Sequence, residues 1–230
     1  MGSFVELTAV DGVKIPAYVA MPEGTPRGAI VVLQEIFGVN SHIRSVADRY
    51  AAQGYVAVAP AMFERAKPGV ELGYTEDDMK AGFALKGAVE ALPAPGVLRD
   101  VEAAVAHAAQ LVPGGKVGVV GFCWGGLMTW RTACSLSSVS AAVCYYGGGM
   151  TGEQEANRQV LVPTLAHFGS KDHYISLESV EAFKLAQPKV EVHVYEADHG
   201  FNCDQRGSYN EAAAALAGER TLAFFKQHIG

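Results

Sequence analysis

The stretch Val117-Gly118-Val119-Val120-Gly121-Phe122-Cys123-Trp124-Gly125-Gly126 decides how this sequence is read. A β-branched run of strand length, 117–121, passes through a glycine-bounded turn into the helical pattern of 125–136. This is the form of a nucleophile elbow. Such a turn holds its nucleophile at a strained positive φ, and small residues two before and two after it let strand and helix approach. Gly121 and Gly125 are those residues, with Gly126 beyond. The turn would hold the Cys123 thiol out at a sheet edge, above a helix N-terminus that favours negative charge. The common form of the motif carries serine, so a cysteine here would route acyl transfer through a thioester. The bland alternative is a small buried cysteine with glycines that serve only close packing. A nucleotide loop fits less well: Gly118, Gly121 and Gly125 lack dinucleotide spacing, and no Lys-Ser/Thr pair follows them.

Outward from this turn, strands and helices alternate along the whole chain, with no repeat, linker or low-complexity tract. Phe4 to Ala9 and Ile15 to Met21 read as an antiparallel hairpin, because Asp11-Gly12 supplies the positive φ of a tight turn. Short apolar runs then recur at 29–33, 56–59, 117–121, 141–145, 164–168 and 190–195. Helical patterns near 42–53, 76–91, 98–111, 125–136, 176–186 and 208–227 separate them. That rhythm predicts an α/β fold with a mainly parallel central sheet covered on both faces. In such sheets, sites form at the carboxyl ends of strands. Those ends here carry Gln34-Glu35-Ile36, Pro60-Ala61-Met62, Phe122-Cys123-Trp124, Tyr146-Gly147, Gly169 to His173 and Glu196 to Gly200.

The 230 residues, half of them hydrophobic and 18% charged, fit a single domain over 1–230 with a generous core. A chain of this size buries about 70–75% of its unfolded surface, and single α/β domains run to roughly 250 residues. The formal charge of -6, with no basic block, disfavours a nucleic-acid partner. The longest apolar runs, such as 29–33 and 141–146, fall short of the roughly 18 residues of a membrane span. The N-terminus lacks a signal-peptide pattern, and Met1-Gly2 is followed by Glu6 where a myristoylation signal wants Ser or Thr. The four cysteines, Cys123, Cys134, Cys144 and Cys203, show no CxxC spacing. Together these features favour reduced thiols and a cytoplasmic location.

For acyl transfer on such a scaffold the chain order is nucleophile, acid, histidine. Asp172, after the 164–168 strand, and His199, after the 190–195 strand, stand in that order. His199 would take the thiol proton, and Asp172 would fix the imidazole tautomer and stabilise the imidazolium. Among the other candidates, Asp198 adjoins His199 too closely to reach its ring and reads as a loop cap. His167, inside a strand, reads as a satisfied core histidine. His193 shares a face with Glu191 and Tyr195 and reads as solvated. A metal site of His199, His173 and Asp172 lacks ligand-type spacing.

Taken together, Gln34-Glu35-Ile36-Phe37-Gly38-Val39-Asn40, Gly121-Phe122-Cys123-Trp124-Gly125-Gly126 and His199-Gly200-Phe201 resemble the dienelactone hydrolase (carboxymethylenebutenolidase) family over nearly the whole chain. The resemblance implies an α/β-hydrolase fold, hydrolysis of a lactone or ester, and no cofactor or metal. It implies Cys123 as nucleophile, His199 as base and Asp172 as its orienting acid. Glu35 matches a family glutamate that interacts with the resting thiol, and a carboxylate there would oppose a second negative charge on sulfur. The backbone N–H groups of Ile36 and Trp124 are the implied oxyanion donors. Arg206 matches an arginine that binds the substrate carboxylate. Lys80 stands where the family has a second arginine, with Ala84 in place of a tyrosine; Tyr145 matches a tyrosine near the site. Lysine supplies charge without a bidentate fork. With the bulky Trp124, this departure bears on the substrate and not on the reaction class.

The expected partner is thus a small-molecule lactone or ester, with a carboxylate-bearing one as an option, and the expected assembly a monomer or small homo-oligomer. Competing functions are an esterase of broad neutral substrates, a catalytically idle small-molecule-binding relative, and a thiol redox protein pairing Cys123 with Cys203.

Overall fold

Two antiparallel strands begin the chain, β1 (Ser3–Thr8) and β2 (Lys14–Ala20), joined through Asp11 and a Gly12 at φ 83°. This computed structural model describes residues 2–230, and the chain divides into two compact units, 1–117 and 118–230.

The first unit continues with β3 (Gly28–Leu33), α1 (Ser41–Ala52), β4 (Tyr55–Pro60), α2 (Glu76–Glu90) and α3 (Leu98–Leu111). β2 pairs antiparallel with β4, and β3 pairs parallel with β4. Every residue of β3 and β4 is buried, the near-continuous apolar pattern of strands covered on both faces. Asn40 caps α1 by accepting the Ile43 N–H at 3.2 Å. Thr75 and Asp78 form a capping box on α2. Behind the hairpin, Arg65 ties the buried Asp100 of α3 to Asp11 of the turn.

The second unit holds β5 (Val117–Phe122), which starts at the last residue of the first, then α4 (Trp124–Ala133), β6 (Ala141–Tyr145), the short α5 (Glu153–Ala156), β7 (Thr164–Gly169), α6 (Leu177–Ala186), β8 (Glu191–Tyr195) and α7 (Glu211–Ile229). Neighbours β5, β6, β7 and β8 are all parallel. Rows of residues therefore run across them in register, among them Phe122, Tyr145, His167 and His193. The architecture is mixed α/β, with eight strands, mostly parallel pairing and an N-terminal antiparallel hairpin, as the periodicity predicts. Among the described residues no helix is long and apolar enough to cross a membrane.

Candidate active site

Cys123 occupies the junction of β5 and α4 at φ 56° and ψ -118°, one of two non-glycine residues at positive φ among the described residues. Strain of this kind costs about 1–3 kcal/mol and is kept only where the surroundings over-determine it. The surroundings are identifiable. The Cys123 N–H donates to the Tyr145 carbonyl at 3.0 Å, and its own carbonyl accepts from Gly126 at 2.9 Å. A Cβ on Gly121 would collide with the Gly125 carbonyl and the Thr129 hydroxyl, and one on Gly126 would lie 2.6 Å from the Tyr145 carbonyl. Glycine at these two positions lets α4 lie against β5 and β6. Cys123 is half-buried, and Trp124, the first residue of α4, brings its N–H to the helix N-terminus where negative charge is favoured.

Asp172 lies in the loop after β7, and His199 in the loop after β8. His199 Nδ1 is 2.8 Å from Asp172 Oδ2, with both residues buried. The remaining carboxylate oxygen accepts the N–H groups of Tyr174 and Ile175 at 2.8 and 3.1 Å. His199 also makes a side-chain hydrogen bond to Cys123. Burial disfavours the imidazolium, but its electrostatic interactions and hydrogen bonds with Cys123 and Asp172 outweigh it and push the His199 pKa up to about 10. The second unit thus brings a thiol, an imidazole and a carboxylate into one hydrogen-bonded line. The ring of Tyr174, itself largely exposed, meets His199 edge-on at 5.1 Å. No residue pattern singled out Tyr174; its place two residues after Asp172 was the available signal.

Asp198 accepts the backbone N–H of its neighbour His199 at 2.6 Å, the loop-capping role expected for it. His173 is exposed, with Nε2 3.9 Å from Asp198. Arg206 follows in the loop before α7, its guanidinium packed against Gly200, so closely that a Cβ there would strike it. Gly200 also sits at φ +77°. All four cysteines are free thiols. Burial pushes the Cys134 thiol up to about 12 and that of Cys144 higher still, so neither is a ready thiolate.

Tyr145, the last residue of β6, is buried. Its hydroxyl is 2.7 Å from the Thr221 hydroxyl, and its ring lies in the core against Phe122 and His167. A parallel strand buried on both faces turns this side chain into the interior. Lys80, on α2 of the first unit, projects into solvent with its ammonium 3.3 Å from Asp77. An exposed i,i+3 pair of this kind contributes little to stability.

Glu35 and Ile36 follow β3 in the first unit, and both are buried. Gln34 secures that loop: its Oε1 accepts the Met62 N–H at 3.2 Å and its Nε2 donates to the Glu35 carbonyl at 3.3 Å. Ile36 lies against Gly82 of α2, whose missing side chain makes room for the Ile36 carbonyl.

The model of the dienelactone hydrolase family matches residues 15–229. A Synechocystis protein provisionally named carboxymethylenebutenolidase is 38% identical over 233 residues, covering 94% of this chain and 93% of its own. The carboxymethylenebutenolidase of Pseudomonas putida is 36% identical over 226 residues, covering 96% and 94%. A crystal structure from Klebsiella pneumoniae, provisionally of a dienelactone hydrolase, superposes with a TM-score of 0.83 at 32% identity, covering 99% of this chain and all of its own. The chain belongs to the dienelactone hydrolase family and is a hydrolase of the carboxylic-ester and lactone class.

Proposed function

We propose that residues 1–230 form one catalytic domain that hydrolyses a lactone or activated ester through a Cys123 thioester. The observation that carries this reading is His199, hydrogen-bonded to both Cys123 and Asp172 at the foot of a strained turn. With its proton on His199, the Cys123 sulfur attacks the carbonyl carbon and the C=O electrons move onto oxygen. The Trp124 N–H, at the start of α4, stabilises that oxyanion. Collapse re-forms C=O, breaks the C–O bond to the leaving oxygen and transfers the His199 Nε2 proton to it. In a lactone the leaving oxygen stays tethered, so the ring opens. Water, deprotonated by His199, then attacks the thioester; the C–S bond breaks and the free acid departs. Asp172 accepts the Nδ1 proton's hydrogen bond throughout and so holds the ring in place. No step requires a cofactor.

The substrate we favour carries a carboxylate. The name of the Pseudomonas putida relative denotes a lactone bearing a carboxymethylene group. Arg206, held over Gly200 beside His199, offers a fork for such an anion. The roles that the resemblance assigns to Glu35 and Ile36 in the first unit stand as proposals for substitution to test.

The decisive experiment follows a chromogenic aryl ester and an enol lactone with wild type and Cys123→Ala, and traps the acyl-enzyme by rapid acid quench for intact mass. The expected result is an acyl adduct on Cys123 and no turnover above background in the variant. Undiminished turnover by Cys123→Ala would overturn the mechanism. No turnover by the wild type across lactones and esters would instead favour an idle binding protein.

A further inference from the structure

Alongside the Cys123 turn, the second unit buries a line of polar side chains that the acyl-transfer chemistry does not use. Its centre is His167 of β7, which is fully buried. Nδ1 lies 2.8 Å from the Tyr195 hydroxyl, and Nε2 lies 3.0 Å from the Thr221 hydroxyl. Outward, Tyr195 accepts from Arg220 Nη1 at 3.1 Å. Inward, Thr221 shares its hydrogen bond with Tyr145 at 2.7 Å. The line therefore runs from Arg220 on α7, through β8 and β7, to Tyr145 on β6.

A guanidinium only donates, so the Tyr195 oxygen accepts from Arg220. Burial disfavours a charged His167, and His193 and Arg220 nearby act in the same direction, which holds the ring neutral, with one nitrogen donating and the other accepting. His193 stacks on His167 with centroids 6.0 Å apart and is itself bonded to Glu191 at 2.7 Å. The far end of the line meets the nucleophile. Tyr145, whose hydroxyl is held by Thr221, is the residue whose carbonyl accepts the Cys123 N–H, and the next residue, Tyr146, donates its N–H to the His167 carbonyl at 2.7 Å. Tyr146 is also the other non-glycine residue at positive φ.

We propose that His167 is a positioning residue for the nucleophile: its ring, hydrogen-bonded to Thr221, fixes Tyr145 and so holds the Cys123 turn in attack geometry. This rests on Cys123 being the nucleophile. A purely structural role would make the line replaceable by apolar groups of equal volume, since a satisfied buried network adds little net stability over good packing. A positioning role makes the rate at Cys123 depend on it, because small displacements of an attacking atom cost much in rate.

The test uses Thr221→Val, which keeps the shape and removes the hydroxyl, and Thr221→Ser, which keeps the hydroxyl. His167→Phe is the more severe break, used only where circular dichroism shows a native fold. Steady-state kinetics with an aryl ester and the rate of Cys123 alkylation by iodoacetamide are measured beside Tm. The expected result for Thr221→Val is a fall of about tenfold in both kcat and alkylation rate, with KM within about twofold, and for Thr221→Ser near-complete rescue. Wild-type rates in Thr221→Val, or an equal loss in Thr221→Ser, would overturn the proposal. Cys123→Ala is run in parallel: if it keeps its activity the nucleophile assignment fails, whereas a Cys123-dependent enzyme indifferent to Thr221 removes the positioning role alone.

Discussion

The carboxylate of Asp172 divides its two oxygens between a side chain and the backbone: Oδ2 takes His199 Nδ1 at 2.8 Å, while Oδ1 takes the backbone N–H groups of Tyr174 and Ile175. An asparagine can keep the second set of bonds with its carbonyl oxygen. It then presents NH2 to Nδ1, which forces the opposite imidazole tautomer and takes the base away from the thiol. Asp172→Asn is therefore expected to fold with a Tm close to wild type and to lose about 10³–10⁴-fold in kcat. Parallel thermal melts and ester kinetics check both halves. Unchanged kcat would move the acid's role to another carboxylate, with Asp198 the first to be examined.

The pH behaviour of His199 follows from the same contacts. Its folded-state pKa, about 10, lies above the ordinary 6.5 despite the opposing effect of burial. A raised value means that this group's stabilisation is complete below about pH 6.5 and is lost as pH rises through about 10. Cys123→Ala removes the sulfur that raises it, so the His199 midpoint should fall and the window should move toward neutrality. Imidazole NMR titration gives the midpoint, and urea midpoints from pH 6 to 10 give the linked stability. Identical titrations in wild type and variant would contradict an ion pair between sulfur and imidazole.

What could be read in advance was what local patterning encodes. The elbow at Cys123 is a matter of glycines within a few residues, and the buried strands announce themselves by unbroken β-branched runs, so both were legible. The start of α7 was set early, at 208, where the chain waits for Asn210 to accept the Ala213 N–H and begins its helix at Glu211. The four-residue α5 is too short to impose a period. The hydroxyl partner of Tyr145, Thr221, is 76 residues away, outside what a local pattern encodes. His167 was correctly read as a core histidine, but its partners lie 28 and 54 residues downstream, beyond the reach of any periodicity. Lys80 carried the right charge, and only the structure shows it turned to solvent beside Asp77.

Arg206 supplies the test of substrate class. Its guanidinium rests on Gly200, the residue after His199, so removing it takes charge from beside the base without touching the line from Asp172 to Cys123. Arg206→Ala is expected to lower kcat/KM for a carboxylate-bearing lactone by about tenfold or more, the size of one charge-assisted hydrogen bond, and to leave neutral esters nearly unchanged. Lysine at this position keeps the charge but not the fork and should give an intermediate loss. Equal loss on neutral and anionic substrates would assign Arg206 to the architecture of the His199 loop.

In the first unit, one guanidinium pairs with two carboxylates. Arg65, itself 9% exposed, spans the fully buried Asp100 and the turn residue Asp11. Its hydrogen bond holds Asp11 down at about 2, while burial keeps Asp100 above the ordinary carboxylate value even with Arg65 beside it. Arg65→Met leaves the Asp100 carboxylate buried without its cation, which is expected to cost about 3–5 kcal/mol in urea unfolding at pH 7. Adding Asp100→Leu removes the stranded charge, and the double variant should recover most of that loss, because an apolar pair of similar volume is near-neutral. The contribution of Asp11, a depressed acid, is present above about pH 3.8 and lost as pH falls through about 2, so wild type should keep it at pH 3 better than Arg65→Met does. Additive rather than compensating losses in the double variant would mean that Arg65 acts by packing its stem and not by pairing Asp100.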